Sequence, residues 1–165
     1  MKFTGMLRRV VGAGAALAAV GAMLMAPASA TAAPAAQDDI TAAGIVNILH
    51  ASSRNCLTAN DLGEVGLLVC NGSAEQQWSN YTTGSVGRFR NVQWDACLAS
   101  DGAKVFIMSR CDTPSSGWTS TSGSPRYIKH GVESSKCLHT NSGSAGKFAY
   151  LINCGEATRW SVLPA

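Results

Sequence analysis

The sequence predicts an all-β domain with pseudo-threefold symmetry, and three observations lead to that prediction. The first is a sequence phrase that occurs three times with a period of about forty residues. The second is the placement of one cysteine pair in each copy. The third is a series of short apolar segments separated by Gly, Asn, Ser and Asp, which is typical of strands. Beyond the N-terminal thirty residues, no segment shows a sustained helical period.

Each copy of the phrase contains a Cys-Leu pair, a polar turn with glycine, a short apolar segment and a second cysteine. A tryptophan follows six to eight residues after the second cysteine. The first cysteines are separated by 41 and 40 residues and the tryptophans by 40 and 42. These markers are Cys56, Cys97 and Cys137, with Trp78, Trp118 and Trp160.

The six cysteines allow fifteen pairings, and the repeat selects one of them. The pairing that each copy makes in the same way is Cys56 with Cys70, Cys97 with Cys111, and Cys137 with Cys154. Each bond closes a loop that is worth about 3 kcal/mol in the chain-entropy account. Metal ligation is the alternative, but it favours close pairs such as C-x-x-C. The sequence has none, so we expect disulfides and no metal site or other cofactor.

The apolar segments VGLLVC, VFIMSRC and FAYLINC predict one strand in each copy. Alternation along a strand places every second residue on the same face. We expect the inward face to carry Val65 and Leu67, Phe106 and Met108, and Ala149 and Leu151. The leucines after the first cysteines and the three tryptophans recur at matching places, which predicts a shared core of Leu57, Leu98, Leu138, Trp78, Trp118 and Trp160.

Three copies of a four-strand unit are able to close into a barrel that is capped by hairpins. Closure removes the exposed edges that an open sheet would present. A three-bladed propeller is the alternative arrangement, although three blades fall below the usual number.

The N-terminal segment has the layout of a secretory signal. Lys2, Arg8 and Arg9 precede an apolar run, Val10–Met25, and small residues follow it. The run is short for a bilayer span, so a membrane anchor is the less favoured interpretation. We therefore expect a secreted, extracellular protein whose mature chain has no membrane span. The predicted organisation is a signal at 1–30 with cleavage as late as residue 35, a flexible leader at 31–43, and one domain at 44–165 with repeats near 44–84, 85–124 and 125–165.

Removal of that segment changes the net charge. All 10 acidic residues lie beyond residue 30, whereas three of the 13 basic residues precede it. The mature chain is therefore formally neutral. Because a nucleic-acid-binding protein needs a basic footprint for phosphate, nucleic acid is excluded as the expected partner.

The phrase "NCLTA…VCNGSAEQQW" resembles the ricin-type β-trefoil lectin family, whose repeats read Cys-Leu-Asp and end in Gln-x-Trp. The resemblance extends from about residue 45 to 163, and it implies a β-trefoil that binds sugar. Gln76 and Trp78 match the Gln-x-Trp element, and Gln76 is interpreted as structural. The other two copies keep only Trp118 and Trp160.

The family's sugar-binding positions are mostly replaced. Thr58, Ala99 and His139 stand where the resemblance implies a carboxylate. The implied stacking aromatic is replaced by Leu68, Ser109 and Ile152, and the implied amide by Glu75, Ser115 and Ala157. Structural positions are thus retained while binding positions are not.

Other polar residues near the repeat turns remain candidates for ligand binding. These are Asn60, Asp61 and Glu75 in copy one, Asp101 and Lys104 in copy two, and His139, Asn141 and Tyr150 in copy three. Asp and Asn also occur in turns for backbone reasons, so for copies one and two an ordinary turn is the favoured interpretation. Trp94 is either a ligand contact or a cover for the end of the barrel.

The sequence favours a binding protein over an enzyme. It has no G-x-S-x-G element, all cysteines are assigned to disulfides, and the ten acids show no spacing that recommends glycoside hydrolysis. We expect a lectin-like protein for a cell-surface or cell-wall glycan, alone or as the targeting subunit of a larger secreted assembly of the toxin type. The alternative is a trefoil that has lost sugar binding and binds a protein partner as an adaptor or protease inhibitor.

Overall fold

The computed structural model describes residues 41–83 and 86–165. The predicted signal and residues 31–40 of the predicted leader lie outside the described residues. The first strand begins at Thr41, three residues before the predicted start of the domain. Among the described residues there is no helix with the length and hydrophobicity of a membrane span.

Each copy contributes four strands. They are β1 (Thr41–His50), β2 (Cys56–Ala59), β3 (Val65–Leu68), β4 (Gln77–Thr83), β5 (Val86–Asn91), β6 (Ala96–Ser100), β7 (Val105–Met108), β8 (Trp118–Ser120), β9 (Ile128–His130), β10 (Lys136–Thr140), β11 (Ala149–Asn153) and β12 (Trp160–Pro164). Two short 3₁₀ turns, Ala74–Gln76 and Pro114–Ser116, precede β4 and β8.

The pairing pattern is that of a barrel capped by hairpins. Strands β1, β4, β5, β8, β9 and β12 pair around the barrel, with a bridge between Arg126 and Trp160 where β9 approaches β12. The hairpins β2–β3, β6–β7 and β10–β11 form the cap and meet one another through single bridges. Those bridges join Glu64 to Phe106, Gly66 to Phe148 and Lys104 to Tyr150. The predicted β-trefoil is confirmed.

The three repeat tryptophans occupy equivalent places in the core. Each is at most 1% exposed, and each indole N–H donates to the carbonyl of the leucine that follows the first cysteine. The distances are 3.0, 2.8 and 2.9 Å for Trp78–Leu57, Trp118–Leu98 and Trp160–Leu138. The indole polar group is therefore satisfied while its rings fill the interior, as a buried tryptophan requires. This confirms the predicted shared core.

The cysteines pair as predicted. The bonds Cys56–Cys70, Cys97–Cys111 and Cys137–Cys154 each lie within one copy, with Cα–Cα distances of 5.0, 5.3 and 4.8 Å. All six cysteines are used.

The predicted inward face is correct in copies one and three and wrong in copy two. Val65, Leu67, Ala149 and Leu151 are buried, as are Val105 and, in part, Ile107 in copy two. Phe106 and Met108, which we predicted to face inward, are half-buried on the opposite face. The hairpin of copy two is shorter, since Cys97 pairs with residue 108 whereas Cys56 pairs with residue 68. A shift of one residue exchanges the two faces of a strand.

Candidate functional site

The structure brings the three candidates of copy three together. The pairing of β10 with β11 places His139 opposite Tyr150, and their rings meet edge to face with centroids 5.1 Å apart. The hydroxyl of Tyr150 donates to Oδ1 of Asn141, in the turn that follows β10. That bond uses the amide oxygen, and in the described residues no group accepts from the Asn141 side-chain NH₂, which can therefore donate to a ligand.

The backbone near Trp160 fixes the tautomer of His139. The N–H of Thr158 donates to Nδ1 at 3.0 Å, and the Thr158 hydroxyl lies 2.9 Å from the same atom. A neutral ring that accepts at Nδ1 carries its proton on Nε2. In residues 41–83 and 86–165 no group bonds to that Nε2–H, which is thus a donor for a ligand.

The surroundings of His139 favour the neutral ring. Burial lowers its pKa, the charge on His50 lowers it further, and Glu156 acts in the opposite direction to a smaller extent. Burial also lowers the pKa of His50. At neutral pH His139 is therefore an uncharged donor beside an aromatic ring.

A depression of about 420 Å³ lies where the three cap hairpins meet, next to this cluster. Tyr150 forms part of its wall together with Phe106 and Phe148, and Glu64 and Lys104 add a carboxylate and an ammonium group. Phe148 is 61% exposed. Aromatic faces beside hydrogen-bonding groups are the chemistry that suits a sugar ring, because its C–H face is apolar and its hydroxyls are not.

A second depression, of about 510 Å³, lies between copies one and three. At each of the other two boundaries between copies, called seams here, the residue that ends the first strand of one copy contacts a carbonyl just before the last strand of the preceding copy. Asn91 Nδ2 donates to Glu75 O at 2.8 Å, and His130 Nε2 lies 3.2 Å from Ser115 O. His50 holds the corresponding place at this seam and forms no such bond within the described residues. The seam beside Thr158 therefore lacks this side-chain bond, and the backbone N–H of Ala51, which donates to Arg159 O at 3.0 Å, joins the two copies there.

Copy one presents no equivalent cluster. Thr58 is buried, its hydroxyl donates to Cys56 O at 3.0 Å, and it accepts from Gln76 Nε2 at 3.3 Å. Across the hairpin, a Cβ added to Gly66 would lie 2.8 Å from the carbonyl oxygen of Lys147. The chain of copy three thus packs against the family's sugar position in this copy and leaves a depression of only about 140 Å³ there.

The remaining candidates of copy one stay apart from each other. Asp61 is exposed in the turn and Glu75 is half-buried before β4. Neither carboxylate bonds to another residue in the described part of the chain. Asn60 has a turn role, since its Oδ1 accepts from the N–H groups of Leu62 and Glu64 at 3.1 and 2.8 Å.

Copy two also uses its acid as a turn residue. Asp101 Oδ1 accepts from the backbone N–H groups of Ala103 and Lys104 at 2.9 and 2.8 Å, and these bonds lower the pKa of Asp101. Ala99, at the position of the family's carboxylate, is fully buried, and Phe106 lies opposite it. This copy contributes Phe106 and Lys104 to the cap depression but has no polar side chain at the position of the family's carboxylate.

Trp94 and Gln76 both have structural contacts. Trp94 is half-buried against the core, and its indole N–H donates to Ala59 O in copy one at 3.2 Å. Gln76 is 1% exposed, donates to Val69 O at 2.9 Å and accepts from Asn71 N–H at 2.8 Å. These contacts support the covering interpretation of Trp94 and the structural interpretation of Gln76.

Sequence reasoning missed Thr158, Phe106 and Phe148 as members of the candidate site. Thr158 stands at the place of the glutamine in the Gln-x-Trp element, two residues before Trp160, and that position was the available signal. Phe148 becomes apparent only when the three hairpins are assembled, because its neighbours in the depression come from the other two copies.

The family model for the ricin-type beta-trefoil lectin domain matches residues 44–161. The chain belongs to this family. Its members are carbohydrate-binding, non-catalytic modules, and the lectin assignment made from the repeated phrase is confirmed at that level. No curated protein gave a significant sequence match to the chain.

Solved structures share the fold at low identity. The ricin B-like lectin of Macrolepiota procera, solved with lactose, is 12% identical, with a TM-score of 0.64 over 76% of this chain and 98% of that one. The exo-beta-1,3-galactanase 1,3Gal43A of Clostridium thermocellum is 17% identical, with a TM-score of 0.67 over 76% of this chain and 31% of the enzyme. A mosquitocidal holotoxin is 15% identical, with a TM-score of 0.64 over 74% of this chain and 17% of the toxin. The chain thus corresponds to nearly all of the lectin and to one part of the two larger proteins.

Proposed function

We propose that this chain is a secreted lectin-like protein that binds a glycan of a cell surface or cell wall through copy three. The observation that carries the proposal is the cluster of His139, Asn141 and Tyr150, with Thr158 fixing the histidine tautomer. It occupies the family's sugar position in copy three. The corresponding hydroxyl of Thr58 in copy one is buried and bonded within the protein, and copy two has Ala99 there.

The cluster supplies donors where the family's pattern has an acceptor. The Nε2–H of His139 and the amide NH₂ of Asn141 donate to hydroxyl oxygens of the sugar, and the ring of Tyr150 packs on its apolar C–H face. Glu64, in the adjoining depression, is a carboxylate that accepts from further hydroxyls. This division of roles differs from a site built on one carboxylate, so we expect a different sugar preference.

Glycan binding by the mature protein on an array, with the protein displayed multivalently, tests the proposal. Multivalent display is needed because single trefoil sites are weak and several of them gain avidity. We expect binding that free sugar competes away. His139→Ala and Tyr150→Ala should each weaken it about tenfold, or about 1.4 kcal/mol, while leaving the melting curve nearly unchanged.

Asp61→Ala is the matched control, because Asp61 is an exposed candidate from copy one that contacts no part of the cluster. It should bind as the wild type does. Equal binding by wild type, His139→Ala and Tyr150→Ala would move the site away from copy three.

The proposed secretion rests on the layout of the N-terminal segment and on three disulfides, which persist in oxidising compartments. The shared fold with part of a holotoxin supports a role as a targeting subunit. Mass spectrometry of the culture supernatant should find a chain that starts between residues 31 and 36. A cell-retained chain that keeps residues 1–30 would contradict secretion.

A protein-binding trefoil is the second candidate, and exposed apolar side chains favour it. Leu62, Val69 and Phe148 are 78%, 68% and 61% exposed. Exposed apolar groups mark an interaction site where they lie together, and Phe148 lies with Phe106 in the wall of the cap depression. A silent glycan array together with one stoichiometric partner in a supernatant pull-down would establish this function instead.

A further inference from the structure

Arg88 on the outside of the barrel has no partner that accounts for its burial. On β5, Phe89 faces the core, so Arg88 faces outward, yet Arg88 is only 8% exposed. In residues 41–83 and 86–165 its guanidinium makes no hydrogen bond or ion pair, and Nη1 is fully buried without an acceptor. A buried guanidinium without an acceptor is strongly destabilising, so such a group calls for an explanation.

Arg88 forms one wall of a depression of about 280 Å³. Val86, Pro114 and Val132 supply apolar walls, and two glycines, Gly117 and Gly131, complete the lining. The Gly131 N–H donates to Gly117 O at 2.7 Å, which joins the two glycine segments. A Cβ added to Gly117 would lie 3.0 Å from Nη1 of Arg88, so glycine at this position leaves room for the guanidinium.

The carboxylate that lines this depression is hydrogen-bonded to a different arginine. Asp112 lines the same space, but its two carboxylate oxygens accept from Arg110, at 3.2 Å from Nε and 3.1 Å from Nη2. That pair is exposed on both sides. Arg110 lowers the pKa of Asp112 most, and the charge on Arg88 lowers it to a smaller extent. In the described residues Asp112 thus interacts with two guanidinium groups but accepts side-chain hydrogen bonds only from Arg110.

The fold does not require a cation at this position. The residues before the buried barrel positions Ile48, Phe89 and Ile128 are Asn47, Arg88 and Tyr127. In copy three the ring of Tyr127 is covered by the guanidinium of Arg159, 5.1 Å from its centroid. Copy two has the arginine at the strand position itself, and no group in the described residues accepts a hydrogen bond from it.

We infer that the depression over Arg88 binds the carboxylate of an acidic sugar residue, such as a uronic acid. Because Nη1 is buried, the edge of the planar guanidinium formed by Nε and Nη2 matches the carboxylate with two parallel hydrogen bonds. The apolar walls of Val86, Pro114 and Val132 contact the C–H face of the ring. The inference rests on the proposed function, because it adds a second site and names the class of glycan that this site takes.

Titration of the mature protein with sodium glucuronate at low ionic strength tests the inference, with glucose and sodium acetate as comparison ligands. We expect glucuronate to shift the amide NMR signals of Gly117 and Gly131 and to raise the melting temperature. Glucose should leave those two signals in place, and acetate should shift them only at much higher concentration. High salt should weaken the glucuronate response, since the interaction is ionic.

Arg88→Met removes the charge and retains the apolar volume. It should abolish the glucuronate response, and its melting temperature should equal or exceed that of the wild type, because a buried charge without a partner is lost. Arg90→Gln is the matched control on the same strand, since Arg90 is exposed and paired with Asp95. It should retain the response.

The inference is overturned if glucuronate leaves the wild-type Gly117 and Gly131 signals unchanged, or if Arg88→Met responds as the wild type does. Equal responses to acetate and glucuronate would overturn the assignment to a sugar. Array binding that depends on His139, without a glucuronate response, would overturn this inference and leave the proposed function standing. A glucuronate response with a silent array of neutral glycans would leave this inference standing and overturn the proposed glycan binding through copy three.

Discussion

Copies one and three are built on the same scaffold and differ in what they expose. In both, the residue two before the tryptophan bonds to the residue two after the first cysteine: Gln76 to Thr58, and Thr158 to His139. In copy one the bond is part of a buried network in which the side chains of Gln76 and Thr58 find all their partners within the protein. In copy three it orients an imidazole whose other nitrogen forms no hydrogen bond within the described residues. The scaffold thus constrains the core while leaving the outward position to the local sequence.

One loop accounts for much of this difference. The cysteines of copy three are 17 residues apart, whereas those of copy one are 14 apart. The longer hairpin reaches over copy one, where Gly146 N–H donates to Leu67 O at 2.6 Å and Leu67 N–H donates to Lys147 O at 2.8 Å. The same extension brings Phe148 to the wall of the cap depression. The longer hairpin of one repeat therefore narrows the site of its neighbour and adds an aromatic side chain near its own.

The largest effect is expected where the copies are alike. Trp78→Ala and Trp160→Ala each remove a fully buried indole and its bond to a leucine carbonyl. Each should lower the free energy of unfolding by about 3–5 kcal/mol, as measured by chemical denaturation. A much smaller loss in one copy would show that the tryptophans contribute unequally to stability although they occupy equivalent positions.

Gln76→Ala tests whether the buried polar groups of copy one serve the structure and not ligand binding. This change leaves buried partners of the amide unsatisfied and should lower the free energy of unfolding by about 1–3 kcal/mol, with glycan binding unchanged. Thr158→Val is the counterpart in copy three: it removes the hydroxyl and retains the backbone N–H bond, so stability should change little. Loss of glycan binding in Gln76→Ala would contradict the assignment of copy one to structure.

Protonation distinguishes the histidine of copy three from the polar groups of copy one. Burial and the charge on His50 lower the pKa of His139, so the unfolded chain binds more protons than the folded protein below about pH 6.5. The free energy of unfolding should therefore be fully retained above that pH and fall as the pH drops towards the folded-state pKa. Glycan binding should weaken in the same range, because a protonated Nδ1 no longer accepts from Thr158.

Denaturation midpoints between about pH 5 and pH 8 measure this dependence. His139→Gln should flatten the profile in part, and His50→Asn should do so separately, because burial lowers the pKa of His50 as well. Profiles identical to the wild type in both variants would show that neither ring is coupled to folding.

The smallest effect is expected in copy two. Asp101→Asn keeps the side-chain oxygen that accepts from Ala103 and Lys104, and the residue is exposed. Stability should change by less than about 0.5 kcal/mol, and glycan binding should be unchanged in the array assay. A clear loss of binding would give copy two a site that its buried Ala99 does not indicate.

The sequence predicted the fold more fully than it predicted the site, and particular residues show why. Trp78, Trp118 and Trp160 recur at a fixed period because each fills an equivalent part of one core, so repetition alone reveals them. The prediction of the inward face of β7 was wrong because the hairpin of copy two is one residue shorter. Strand alternation carries no information about turn length. Phe148 was missed because its neighbours come from distant repeats.

The sequence by itself determined the number of repeats, the disulfide pairing and the buried leucines and tryptophans. These features follow from local chemistry that three copies repeat, so each copy supports the interpretation of the others. Only the tertiary structure decided which copy is open and which is covered. That outcome depends on contacts between copies, such as Lys147 over Gly66 and the missing bond at His50, and the period of the repeat does not encode them. The missing hydrogen-bond acceptor of the Arg88 guanidinium likewise becomes apparent only when the chain that buries it is in place.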